Sequence, residues 1–463
     1  MKKRSKFRRW AARISSTGLA LLVIIPAASL RPVDRSDWSE DEPLETATAI
    51  VGAMNLDMAR AASSQLEAGW AKRPLSREIG DPLAGYGARR GAPSTAGGKD
   101  LFVKALCLRN GTEEVFLVAA DILLIHAGVS EKVAALCAPS GIQKESIYFT
   151  ATHTHCGPGG WGPNVIEESV CGDFSEDTVN RLADDLSRVI LAARENTVPA
   201  EWSWLESEAP EFIRNRTVKN GTIDPSLEAI AIRKKDSEAV GLFAFYGAHA
   251  TCMGSKQMAF HADYPGAFVQ SMESTDKVEF AAFGAASVGS QSPLGQGEDE
   301  DRARFIGQGL AGKLRPLLNG AKWKSDITLA SSRETVPLPD FQIRISSDIR
   351  IAEWIANGIH PGSAPIHLLR LDKHWLAGLP VEYSGLLSSP IRKEAKSAGL
   401  TLTPTAFNGD YIGYVLPPEI YDSDAYETKM NFLGPGGGAY FTELIKIGTG
   451  LKLPAKSQLT PPE

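Results

Sequence analysis

The chain has 463 residues, 43% of them hydrophobic and 22% charged. That composition supports a sizeable buried core and excludes a chain that is disordered throughout. The formal net charge of −6 hides an asymmetry: residues 1–29 hold seven bases and no acid, so the remainder carries −13, and an acidic body without a basic stripe excludes nucleic acid as a partner.

In chain order, the first segment reads as an export signal. A basic stretch, MKKRSKFRRWAAR, precedes an apolar run from Gly18 to Leu30, and the small residues Ala27, Ala28 and Ser29 close it. The run is shorter than the ~20 residues that span a bilayer comfortably. Residues 1–29 are therefore expected to be a signal peptide cleaved after Ser29, with an uncleaved membrane anchor as the alternative, and the protein to be exported (periplasmic or secreted). Residues 30–60 read as a linker and a helix, and 61–463 as one catalytic domain. Within it, GTEEVFLVAADILLI (111–125) is a buried-strand pattern. SIYFTATHTH (146–155) is a strand running into the Gly/Pro-rich loop CGPGGWGP. Ser175 caps a helix with Val179, Leu182, Leu186, Val189, Ile190 and Ala193 on one apolar face. Residues 227–251 form a hairpin turning at 234–237, and 367–382 a second turning at Asp372–Lys373. The tail after Pro454 is expected to fray. The whole implies an α/β fold: mixed β-sheets flanked by helices in a single large catalytic domain.

Five cysteines (Cys107, Cys137, Cys156, Cys171, Cys252) form no CxxC pair, which argues against a cysteine-ligated metal. A Cys156–Cys171 bridge would brace the loop after the histidine pair; five small buried thiols are the equal alternative.

The strongest local signal is Ala-Thr-His153-Thr-His155-Cys-Gly-Pro-Gly-Gly. Residues i and i+2 of a strand share a face, so both imidazoles would look into one space, which suits a zinc site with one ligand and one proton carrier. A structural pair is as common. His249 ends the apolar strand GLFAFYGAH, where an imidazole needs a partner. Glu382 ends AGLPVE. Tyr411, Tyr414, Tyr421 and Tyr426 crowd one segment, which also reads as an amphipathic cover. Ser292, in VGSQSP, lacks the GxSxG elbow.

Taken in order, these pieces resemble the neutral (non-lysosomal) ceramidase family from about Leu66 to Gly448. LEAGWAKRPLSREIGDPLAGYGAR resembles its first strand and Ala-Gly-Tyr turn; ATHTHCGPGG, IRNRT, FYGAHAT, GSQSP, LPVE and YVLPPEIYDSDAYE resemble its site elements. The resemblance implies zinc held by His153, His249, Glu382 and Tyr414, with Ser292, His155, Arg216 and Tyr426 in catalytic roles. It implies hydrolysis of the N-acyl amide of ceramide-like or other N-acylated amine lipids, a lipid or N-acyl amide substrate, and a membrane surface as a further partner; oligomeric state is left open. The sequence departs from the family where Ser290, Leu294, Cys156 and Ala250 stand, which alters the wall near Ser292 and the turn after His249. It also stops near the end of the family's catalytic part, so the catalytic N-terminal domain alone is expected, with ceramide itself in question. A zinc phosphoesterase with Arg216 on phosphate, and a non-catalytic lipid-binding relative, are the competing readings.

Overall fold

The computed structural model describes residues 29–36, 42–54, 64–111, 113–359 and 362–452; the basic and apolar leader and the tail after Pro454 lie outside them. Twelve strands carry the architecture. The first eight are β1 (Ser64–Pro74), β2 (Phe102–Asn110), β3 (Glu113–Ala120), β4 (Ile147–Ala151), β5 (Val198–Glu208), β6 (Ser226–Lys234), β7 (Val240–Tyr246) and β8 (Val278–Ala285). They follow one another across a mixed sheet in the order β8-β7-β6-β5-β1-β2-β3-β4, with Asp326–Ile327 beside β1. The pairs β7–β8 and β3–β4 are parallel and the others antiparallel. Eight helices of seven residues or more are present among the described residues: α1 (Glu42–Ala53), α2 (Ala127–Cys137), α3 (Val165–Cys171), α4 (Glu176–Glu195), α5 (Asp263–Glu273), α6 (Asp299–Asn319), α7 (Gly385–Ser397) and α8 (Gly437–Gly448).

Side-chain alternation shows how the sheet is folded. On β2, Val103, Ala105 and Cys107 face α2 and α4, whereas Leu106 and Leu108 face the opposite way. On β7, Leu242, Ala244 and Tyr246 face α5 and α6, whereas Phe243 and Phe245 turn inward. The inward sets from both halves meet in one core with Leu117, Ile230 and Phe280. The sheet is therefore doubled over into two apposed halves with helices outside each, four layers in all. A strand buried on both faces has to be apolar at nearly every position, which explains the unbroken runs in the sequence. The doubling also brings the edge strands together: a side chain at Gly284 on β8 would stand 2.8 Å from the Thr150 methyl on β4.

A second sheet, ordered β9 (Leu329–Pro337), β10 (Ser363–Leu371), β11 (His374–Gly378) and β12 (Thr401–Thr405), packs with α1, α7 and α8 around its own core. It closes against the first through contacts such as Tyr148 Oη to Thr405 Oγ1, 2.6 Å. Both predicted hairpins are present: β6–β7, and β10–β11, which turns at Asp372. Ser175 caps α4 by accepting from the Thr178 amide. All five cysteines are buried and free, so the Cys156–Cys171 bridge does not form.

His367, wholly buried on β10, stands 2.8 Å from Ser331 Oγ and packs on Tyr148. Burial first, then Arg333, pushes its pKa down to about 3. The unfolded chain binds a proton here near the ordinary value while the fold does not, so this contribution is complete above about pH 6.5 and lost as pH falls towards 3. Replacing His367 with Gln is expected to flatten the acid limb of the stability profile by about 1.4 kcal/mol per pH unit, measured by urea unfolding between pH 4 and 7; an unchanged slope would contradict the burial argument.

Candidate metal centre and groove

The site sits at the end of the doubled sheet where β4, β7 and β8 release their chains. The strand containing the histidine pair ends at Ala151, so the i, i+2 face expected for His153 and His155 does not apply. His153 instead takes φ +61, a left-handed conformation sparsely populated by non-glycine residues and concentrated at functional sites. It stacks on Phe407, itself at φ +66, at 4.3 Å. The turn still delivers both rings to one place, with Nε2 atoms 3.5 Å apart. His249 lies three residues beyond β7, and Glu382 starts a short strand (Glu382–Tyr383) after β11 has ended, paired in parallel with Tyr414–Val415. That pairing sets Glu382 directly beside Tyr414.

The histidines are oriented by backbone. His153 Nδ1 faces the Leu123 carbonyl at 2.8 Å, and His249 Nδ1 the Gln291 carbonyl at 2.9 Å. With those nitrogens donating, each Nε2 presents a lone pair to the interior. Glu382 Oε2 lies 2.9 Å from His249 Nε2 and 3.6 Å from His153 Nε2, and Tyr414 Oη 3.1 Å from His249 Nε2. Burial first, then Arg216, lowers the His249 pKa to about 3, and burial with the neighbouring imidazoles holds His155 low. Glu382 is held well below the carboxylate range: burial opposes this, and the imidazoles of His153 and His249 more than offset it. Tyr414 stays a neutral phenol, raised by burial and then by Glu382.

The three ring systems and an ionised carboxylate converge here, and Glu382 Oε2, 2.9 Å from His249 Nε2, makes no hydrogen bond among the described residues. Such a set fits a cation. Ring nitrogens of His153, His155 and His249, all buried, lie within 4.8 Å of one another and could hold a metal. His155 thus belongs to the same cluster as the expected ligands.

Of the other residues singled out in the sequence, Arg216 reaches the cluster, with Nη2 3.0 Å from His249 Nε2 and 3.2 Å from Tyr414 Oη, and is tied by an ion pair to Glu427. Tyr426 stands 5.9 Å from Tyr414, ring to ring, and is half exposed at the mouth. Ser292 does not line the groove; it accepts from Arg214 Nε at 3.1 Å on a short strand paired with Ile213–Asn215. Ser290, one of the departures from the family pattern, bonds Ser384 Oγ at 2.8 Å and the Gly385 amide, pinning the start of α7 just after Glu382.

Three contributors carry no role in the sequence reading. Tyr411, taken only as part of an aromatic cover, donates to Glu382 Oε1 at 2.9 Å. Arg89, inside the quoted GYGAR stretch, is buried and donates to the carbonyls of His155 and Gln257, fastening the histidine loop. Gly85, at φ +111, lies so close to His155 that a Cβ would stand 2.6 Å from the ring; the Gly in that turn is the signal that a side chain packs over it. The cluster forms the polar floor of a mainly apolar groove that opens to solvent, walled by Leu123, Leu124, Trp161, Ile343, Met430 and Phe432 among others.

Residues 82–304 match the family model of neutral/alkaline non-lysosomal ceramidase, N-terminal. A neutral ceramidase of Pseudomonas aeruginosa is 26% identical over 444 residues, covering 75% of this chain and 66% of that protein. One of Mycobacterium tuberculosis is 24% identical over 210 residues, covering 40% and 33% respectively. The matches thus span less than two thirds of either relative. The solved structure of the Pseudomonas aeruginosa neutral ceramidase superposes with a TM-score of 0.72 at 20% identity, covering 87% of this chain and 77% of that one, and a ceramidase complexed with C2 gives the same score at 21%. At that identity the likeness establishes the fold.

Proposed function

We propose that this chain, whose residues 82–304 belong to the neutral ceramidase family, is an exported zinc-dependent amidase that cleaves the N-acyl amide bond of ceramide-like or other N-acylated amine lipids. One observation carries the reading: a buried cluster of imidazoles and a carboxylate, in which Glu382 Oε2 makes no hydrogen bond among the described residues, lies at the floor of a mainly apolar groove. His153, His249, Glu382 and Tyr414 would hold the zinc. When bound, zinc lowers the pKa of water towards ~7 and polarises an amide carbonyl.

The chain's own residues supply the rest. His155, kept neutral by burial and by its fellow histidines, can accept a proton and return it to a leaving amine. Arg216, fixed by Glu427, directs an N–H into the cluster where negative charge would build on a carbonyl oxygen. Tyr426 donates from the mouth. Ser292, held by Arg214 outside the groove, is given no contact with substrate and acts at most through its neighbour Gln291, the residue that aims His249. The apolar walls take an acyl chain and exclude water from the floor. A phosphoesterase is less well supported, because two-metal sites are common in that class and one candidate metal cluster is found among the described residues.

The test is a panel of N-acyl amides, phosphate monoesters and phosphate diesters with purified protein, before and after chelation. Amide cleavage lost with chelator and restored by zinc is expected; turnover of phosphate esters alone would replace this reading. Tyr411 is assigned a positioning role through Glu382. Tyr411→Phe is expected to weaken zinc binding by roughly 10–100-fold at unchanged melting temperature, read by competition with a fluorescent chelator; wild-type affinity would remove Tyr411 from the site.

A further inference from the structure

A second cleft, of about 800 Å³, shares none of the groove's lining residues. It lies where β1, β2 and the end of β3 meet α5 and the start of α6, and the small residues Gly266, Ala267 and Ala303 on those helices leave the space. One lining residue breaks the pattern of the sheet. Lys104 alternates with Val103 and Ala105 on β2 and so takes the inner face that Leu106 and Leu108 fill further along. It is only 5% exposed.

An ammonium buried without a counter-ion is costly, yet no hydrogen bond or ion pair holds Lys104 among the described residues; its Nζ lies 5.6 Å from the centre of the Phe102 ring. The other carboxylates along the cleft are taken: Glu273 by Lys72 at 2.6 Å, Glu300 by Lys99 at 2.9 Å, Asp100 by Arg77, and Asp263 by the amides of Met253 and Tyr264. Asp121, equally buried, acts on Lys104 from the neighbouring strand end. It follows Ala120, the partner of Val103, and its Oδ2 accepts from the Phe102 amide at 2.9 Å. Burial moves both groups towards their uncharged forms, Lys104 down and Asp121 up, against the attraction between them. A free amine with a carboxylic acid beside it in an open cleft is equipped for carbonyl chemistry.

We infer that this cleft is a second binding site, which captures a small polar aldehyde as an imine on Lys104 with Asp121 carrying the protons. The amine lone pair forms a C–N bond as the carbonyl π bond opens onto oxygen; the oxygen takes a proton from Asp121, and a nitrogen-bound proton passes back. A second transfer from Asp121 to the hydroxyl releases water as the nitrogen lone pair forms C=N, and the last N–H proton restores the acid. The site stands apart from the lipid-amidase reading, and its test involves no lipid. The full chain is treated with glycolaldehyde and cyanoborohydride at neutral pH, and the reduced adduct at each lysine is quantified by mass spectrometry of the digested protein. Lys104 is expected to react at least ~10-fold faster than the exposed Lys219 and Lys322; reaction no faster than at those two would overturn the site. Asp121→Asn is expected to slow capture at Lys104 by ~100-fold and to leave the exposed lysines unchanged. Capture as fast as wild type, or faster, would remove Asp121 as the proton carrier, because an aspartate that merely held the ammonium would restrain the amine. The comparison within the wild-type chain decides the site if that variant melts early.

Discussion

His249→Ala is expected to yield a folded protein that retains no zinc and hydrolyses N-acyl amides no faster than the chelator-treated wild type. The imidazole is wholly buried, and its Nδ1 is fixed by the Gln291 carbonyl at 2.9 Å. Its Nε2 lies within 3.1 Å of both Glu382 Oε2 and Tyr414 Oη, so the substitution removes a nitrogen from the centre of the cluster. The change also leaves Glu382, Arg216 and Tyr414 facing a space the size of a side chain, which water can enter but where the ring nitrogen is lost. Without a cation, water would keep its ordinary pKa, far above the ~7 that zinc would give it, and that difference is too large for Arg216 and His155 to offset by hydrogen bonding. His153→Ala is expected to behave in the same way. Elemental analysis and turnover are read together: full metal occupancy in either variant would show the ligand assignment to be wrong, and loss of activity with metal in place would make the residue a catalytic group.

Much of this was visible in the sequence because burial leaves a periodic trace. Runs such as VFLVAA on β3 announce a strand with no wet face, and the apolar positions of α4 fall at helical spacing behind a Ser cap. Those patterns cannot say that Phe116 and Leu117 serve different cores, because alternation marks two faces without identifying what covers each. The pieces of the candidate metal centre were legible as residue types at strand ends, but their geometry was not. His153 reaches its neighbours through a left-handed turn rather than along a strand. Glu382 owes its position to pairing with a segment some thirty residues later. Tyr411 and Arg89 escaped because a tyrosine in an aromatic cluster and an arginine in a loop look the same whether they cover a surface or clamp a site.

The largest stability effect is expected away from the groove, at Arg392. This residue on α7 forms a two-pronged ion pair with Glu228 on β6, Nη2 to Oε1 at 2.7 Å and Nη1 to Oε2 at 3.0 Å. Asp224 lies 3.6 Å from the same guanidinium, and Ser388 Oγ donates to that aspartate. Glu228 is almost wholly buried and also accepts from Thr403 on β12, so one carboxylate joins the doubled sheet to the second sheet and its helix. Burying a charge is tolerable only while its partner remains; removing one member of such a pair costs ~3–5 kcal/mol. Arg392→Ala is therefore expected to destabilise by about that amount, measured by urea unfolding, whereas the apolar pair Arg392→Met with Glu228→Leu is expected to recover most of the loss. A single-variant loss below about 1 kcal/mol would mean that water reaches the pair and screens it. The consequence should extend to the metal. Glu382 and Ser384 lead directly into α7, whose start is also held by Ser290, so a helix that no longer docks through Arg392 loosens the carboxylate at its N-terminal end. Arg392→Ala should accordingly bind zinc more weakly under native conditions although neither Arg392 nor Glu228 lines the groove, and the double variant should bind it normally.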